Sequence, residues 1–224
     1  MLSKKLSIIT IATTIWMGLT SVSLAEKFTD IKDNPYQKEI EKAAQILIVS
    51  GFRDQTFRPQ DSVTREQAIS MIIDGLKTLT AINVNEKPTR RVRPFLDVEA
   101  SRWSASKINW AQWNIVPEGT ATGNFRPTDY VTRAELLSFL RRSAEVLKAK
   151  LGRETILNAN KTPMKFSDVS GYNQQLTLQM SAYCGIASPL NEKGNKFAPN
   201  QPAKRDYTAA AILRTINCVQ NDQN

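Results

Sequence analysis

The 224-residue sequence contains no histidine and only two cysteines. Without histidine the commonest general base and metal ligand is missing, and two cysteines cannot assemble a cysteine-rich zinc site. There is no glycine-rich phosphate loop and no nucleophile elbow. The acidic residues recur by position along the chain, rather than forming the single asymmetric carboxylate pair that a glycosidase uses. These absences point away from an enzyme, and they imply no cofactor and no metal. A low-complexity run of lysine and arginine is also lacking, so the positive charge is spread over folded segments. Beyond residue 26 no apolar stretch approaches the ~20 residues of a membrane-spanning helix.

The N-terminus has its own pattern. Lys4 and Lys5 precede an uncharged apolar run from Leu6 to Thr20, and Ser23-Leu24-Ala25 places small residues before the polar Glu26-Lys27. That order predicts a secretory signal peptide over residues 1–25, with an uncleaved membrane anchor as the alternative. Its removal leaves 28 Lys and Arg against 21 Asp and Glu, a net charge of +7. A basic surface favours polyanions such as wall polymers, acidic lipid or nucleic acid, or else serves solubility alone. Export argues against nucleic acid and predicts the periplasm, wall or envelope. In that oxidising setting Cys184 and Cys218 either pair as a disulfide or remain separate buried thiols.

What the chain does contain is one unit written three times. Phe-x-Asp followed by Ile or Val begins at Phe28, Phe95 and Phe166, and Phe-x-Pro recurs at Phe57, Phe125 and Phe197. Eight residues after each second Phe comes an arginine: Arg65, Arg133 and Arg205. Three markers in fixed order, three times over, define repeats. The boundaries read as repeat one at 26–79, a linker at 80–94, repeat two at 95–151, a linker at 152–165 and a degenerate repeat three at 166–220.

Each unit reads as helix, loop, helix, so the fold class is all-α. In the first copy Asn34 can cap and Pro35 suits the first helical position, with Tyr36, Ile40, Ala43 and Leu47 on one face. The second copy offers Ser101 as cap, then Trp103, Ile108, Ala111 and Ile115. Gly51 and Gly119 are placed to end these helices in a left-handed conformation. Thr64-x-x-Gln67 and Thr132-x-x-Glu135 are capping boxes for the second helices. These continue as single apolar stripes, Ile69, Ile72, Ile73 and Leu76 in one and Leu136, Leu140, Ala144, Leu147 and Leu151 in the other. The third copy has Lys204 and Tyr207 in place of the box and Leu190 or Asn191 where glycine is expected. It therefore predicts a shortened or less regular unit whose two helices a Cys184–Cys218 disulfide would tie together.

The motifs carry a resemblance. Phe-x-Asp-Val, an aromatic eight residues on, Phe-x-Pro and Val131-Thr132-Arg133-Ala134-Glu135 resemble the S-layer homology repeat, over residues 28 to about 219. Val63-Thr64-Arg65-Glu66-Gln67 is close to that signature, while Ala203-Lys204-Arg205-Asp206-Tyr207 keeps only the arginine. The resemblance implies a pseudo-threefold, three-pronged spindle around a central helical bundle, whose grooves hold anionic, often pyruvylated, cell-wall polysaccharide linked to peptidoglycan. It implies Arg65, Arg133 and Arg205 as carboxylate ligands, with Asp30, Asp97, Asp168, Gly51, Gly119, Thr64 and Thr132 shaping the grooves and Trp103 against a sugar ring. Guanidinium suits that task, because it pairs with carboxylate through two charge-assisted hydrogen bonds. Each residue has a structural reading beside this one: the arginines pairing with the Phe-x-Asp carboxylates, the threonines as caps, Trp103 in the core. Few residues follow the last repeat, so a stand-alone module is expected. An adapter that joins the wall to an envelope or outer-membrane protein is the alternative function.

Overall fold

The computed structural model describes residues 28–86, 93–114 and 123–222; the expected signal peptide, Ile115 and Gly119 lie outside them. Among the described residues six α-helices run α1 (Gln37–Gln45), α2 (Arg65–Leu76), α3 (Ala105–Asn114), α4 (Arg133–Lys150), α5 (Gly171–Ala182) and α6 (Arg205–Asn221). A 3-10 turn at Leu190–Glu192 precedes α6, and the only β pairings among the described residues are isolated bridges.

Capping chemistry starts α2 and α4. The Thr64 and Thr132 hydroxyls accept from the amides of Gln67 and Glu135, whose side chains accept in return from the threonine amides at 2.9 Å. Behind each cap the stripe is buried: Ile69, Ile72, Ile73 and Leu76 in α2, and Leu136, Leu140, Ala144 and Leu147 in α4. The third unit departs from expectation, since α6 is a full 17 residues although Lys204 makes no side-chain cap. Tyr207, in place of the box residue, is buried and donates its hydroxyl to the Ile186 carbonyl at 3.2 Å. Burial of an aromatic ring does here what capping does in the other units.

The first helices are shorter than their periodicity suggested. α1 stops at Gln45, and Leu47 adopts φ 62° and is exposed rather than continuing the apolar face. Ile48, one residue later, takes the buried position. Gly51 thus does not end the helix; its role is steric, because a Cβ there would lie 2.3 Å from the Phe28 ring. Asn34 sits in a turn before α1, its side chain accepting from the Tyr36 amide and donating to Asp206. Ser101 likewise lies four residues ahead of α3.

The packing order is cyclic. The second helices, α2, α4 and α6, contact one another, whereas α3 lies on α2, α5 on α4 and α1 on α6. Each first helix therefore covers the apolar stripe of the preceding unit, and the first unit closes on the third. At the centre the Val63 amide donates to the Ala203 carbonyl, Ala203 to Val131 and Val131 to Val63, at 2.8–3.0 Å. All three residues are fully buried, so this closed ring satisfies backbone groups that water cannot reach.

Candidate functional site

The Phe-x-Asp and Phe-x-Pro motifs meet in every unit. Both oxygens of Asp30 accept backbone N–H groups, from Phe57 and Arg58 at 2.7 Å each. Asp97 does the same with Phe125 and Arg126, and Asp168 with Phe197 and Ala198. The middle residues of Phe-x-Pro, Arg58, Arg126 and Ala198, all have φ near 57–59°, a conformation that costs an L-residue energy and that the carboxylate offsets. The two phenylalanines of each unit pack together, with ring centroids 5.3–5.4 Å apart.

The three arginines do not pair with those carboxylates. Each reaches into the next unit and donates through Nε to a Phe-x-Pro carbonyl: Arg65 to Phe125 (2.7 Å), Arg133 to Phe197 (2.6 Å) and Arg205 to Phe57 (2.9 Å). Arg133 also binds the Ser188 carbonyl and Arg205 that of Ser50. Arg65 instead pairs with Glu135 at 2.8 Å. Arg65 and Arg133 are buried, and Arg205 keeps partial exposure. Burial lowers the pKa of Arg65 and of Arg205 from the usual guanidinium value. The guanidinium of Arg133 stacks 3.7 Å from the centre of the Tyr207 ring.

Other polar contacts at these unit boundaries were not foreseen. Glu66, next to Arg65, accepts two bonds from Arg102 at 2.8 Å and one from the Ser104 hydroxyl at 2.6 Å. Burial works against its charge, but the Arg102 fork and Ser104 hold its carboxyl below the usual range. Asp206, at the matching place in α6, accepts from Asn34, Gln60 and the Tyr207 amide. The signal for both was the acidic residue after the repeat arginine, absent only where Ala134 stands. Trp103, read as either core or sugar platform, is exposed beside Glu66, and Trp110 takes the core position.

A recess of about 440 Å³ opens between the third and first units. Its walls are Lys161–Met164 in the linker, Gly185–Pro189 after α5, Arg214 of α6 and Glu39 of α1. Arg214 bridges Glu39 at 3.0 Å and Glu192 at 2.9 Å. Burial opposes its charge, while Glu192 and Glu39 outweigh burial and raise its pKa. Lys161 is exposed at the rim, its amine lying over Gly185. Hydroxyls of Ser181 and Ser188, the carboxylates and apolar Met164 and Pro189 give this recess a mixed lining. Among the described residues no cluster of three acidic or thiol side chains is arranged for a metal, and no helix is long and apolar enough to cross a membrane.

Cys184 and Cys218 are joined, linking the end of α5 to the last turn of α6. Comparison with known proteins finds relatives. Over 197 residues, 87% of this chain, it is 32% identical to "Exoglucanase XynX" of Acetivibrio thermocellus, of which it spans 16%. It is 29% identical over 119 residues, 52% of the chain, to "Cell surface protein" of Thermoanaerobacter kivui, of which it spans 15%. A third relative, "Cell surface glycoprotein 1" of Acetivibrio thermocellus, is 26% identical over 74% of the chain and is spanned to 7%. The chain thus corresponds to less than a fifth of each of these relatives. Residues 27–69 and 94–137, the cores of the first two units, match the S-layer homology domain.

Proposed function

We propose that the chain is a non-catalytic module of three S-layer homology units that holds anionic wall polysaccharide at the cell envelope. The observation that carries this reading is the domain match in units one and two, supported by the similarity to cell-surface relatives. The third unit is included because it repeats the Asp168 and Arg133 contacts of the others. The 197-residue alignment is also too long to fit within residues 1–165. A net charge of +7 after loss of residues 1–25 favours a polyanion.

Within this reading the inter-unit grooves receive the sugar. Arg65 and Arg133 act from beneath, by fixing the loops that form the groove walls, while Arg205 and the rim amine of Lys161 are positioned to meet a carboxylate such as a pyruvate ketal. Trp103 offers a ring face in the groove between units one and two. Several grooves on one chain raise avidity for a repeating polymer when its spacing matches.

The test is co-sedimentation of residues 26–224 with purified wall sacculi, before and after mild acid removal of linked polysaccharide. Binding is expected to disappear on stripping and to weaken in Lys161→Ala and Trp103→Ala, both at exposed positions. Equal binding to both preparations, or none to either, would overturn the reading and direct the search to a protein partner in the envelope.

A further inference from the structure

The recess between units three and one is built from segments that the disulfide holds together. Asn160 and Lys161 both donate their amides to the Ala182 carbonyl at 3.0 Å, and Met164 donates its amide to the Ser181 hydroxyl at 2.9 Å. The Cys184 amide donates to Asn160 Oδ1 at 2.8 Å, and Asn160 Nδ2 lies 2.8 Å from Cys184 Sγ and 3.7 Å from Cys218 Sγ. The linker wall is thereby fastened to the cystine itself. From the other side, Arg214 stands one helical turn before Cys218 and donates to the Gly185 carbonyl at 3.3 Å. Cys184 and Gly185 both occupy the left-handed region, at φ 57° and 67°. A cysteine stays in that region only where its surroundings hold it.

A second set of contacts, independent of the disulfide, keeps the neighbouring core in place. Tyr183 and Ile186 are buried, the Ile186 amide donates to the Met180 carbonyl at 2.9 Å, and Tyr207 bonds the Ile186 carbonyl. Opening the disulfide removes the covalent tie at the Cys184–Gly185 turn and the cystine that anchors Asn160 at the end of the linker wall, while this second set of contacts keeps the helices packed. We propose that Cys184–Cys218 is a thiol-operated lock on this recess, closed in the oxidised envelope and opened by a dithiol reductant. Its effect on affinity rests on the reading that the recess holds wall polysaccharide.

The chemistry is ordinary thiol–disulfide exchange. A thiolate of the dithiol attacks Cys184 Sγ, since Cys184 is half-buried and Cys218 is buried. The Sγ–Sγ bond breaks, and Cys218 leaves as a thiolate that takes a proton from water. The second thiolate of the reductant then displaces Cys184 and closes an intramolecular disulfide. Cys184 leaves as a thiolate that is protonated in turn, so two electrons pass from the dithiol to the protein and the two protons that the dithiol gives to water are matched by the two that the cysteines take up.

The experiment compares the oxidised chain of residues 26–224, the same chain under dithiothreitol, and Cys184→Ser/Cys218→Ser. Amide hydrogen exchange in 160–164 and 184–189 should rise about tenfold in both disulfide-free forms, with α2 and α4 unchanged. Sedimentation with sacculi should weaken about fivefold in parallel. Unchanged exchange at the recess overturns the lock, and so does a uniform rise in every helix, which marks a plain structural staple. Local opening with undiminished binding overturns control of affinity. If the oxidised chain binds no sacculi, the polysaccharide reading fails while the exchange data still decide whether the lock exists.

Discussion

Arg65, Arg133 and Arg205 each satisfy a buried carbonyl of the following unit, and this sets the consequence of removing them. Arg65→Ala would strip the Phe125 carbonyl of its donor and leave Glu135 with the exposed Arg126 as its remaining ion-pair partner. Leaving the buried Phe125 carbonyl without its donor costs about 1–3 kcal/mol, so urea unfolding should show a clear loss of stability without any ligand present. An unchanged midpoint would show that Arg65 is not a structural link. At Asp206, burial outweighs the bonds from Asn34, the Tyr207 amide and Gln60, together with the field of Arg133, and raises its carboxyl above the ordinary value. A raised native pKa means a contribution that is full below the unfolded value near 4 and is lost as pH rises through the native value. Thermal melts of wild type should therefore decline more steeply above pH 4 than those of Asp206→Asn; parallel profiles would refute the assignment. At this scale the sequence showed which residues repeat but not their partners. The structural alternative pairs the Phe-x-Asp carboxylate with the arginine, yet the carboxylate meets the strained amides of Phe-x-Pro. Local spacing cannot separate these cases, because both partners lie roughly 30 positions or more away.

Among the elements, the second helices were legible and the first were less so. Thr64 and Thr132 have φ,ψ of −76°, 161° and −74°, 161°, and Lys204 adopts nearly the same values, −84°, 155°, without a capping side chain. The backbone at Lys204 is thus already shaped for a cap. Lys204→Thr should accordingly stabilise the protein by about 0.5–1 kcal/mol, read as a raised denaturation midpoint. A loss would mean that the Lys204 contact to Ser62 outweighs the cap. The degenerate box suggested a weak third unit, but α6 is long because Tyr207, Ala209, Ala210 and Ile216 are all buried. Tertiary burial overrode the missing local signal. In α1 the reverse happened: the period pointed to Leu47, and a left-handed turn at that residue handed the core position to Ile48.

Cyclic packing governs the molecule as a whole. Each second helix is covered chiefly by the first helix of the next unit, and the ring of Val63, Val131 and Ala203 needs all three units at once. Unfolding should follow one calorimetric transition, with equal calorimetric and van't Hoff enthalpies. Two transitions would show independent units. A fragment containing only residues 26–94 should lack stable helix, since α1 is without α6 and α2 without α3. The 34-residue span closed by Cys184–Cys218 adds about 3–4 kcal/mol by the loop-entropy model.

The residue pattern by itself determined the helical class, the three units, the two capping boxes and the stripes that α2 and α4 bury, because these depend on spacing within a few turns of chain. It left one possible disulfide or two separate thiols, there being only two cysteines, and the structure joins them. Only the tertiary structure decided that each first helix packs on the preceding unit, that the repeat arginines bond to carbonyls across the boundary, and that Trp103 faces outward while Trp110 enters the core. It alone placed Lys161, Arg214 and the disulfide around one recess. These outcomes depend on which surfaces meet when the units close into a ring, and surfaces brought together from distant parts of the chain leave no period in the sequence.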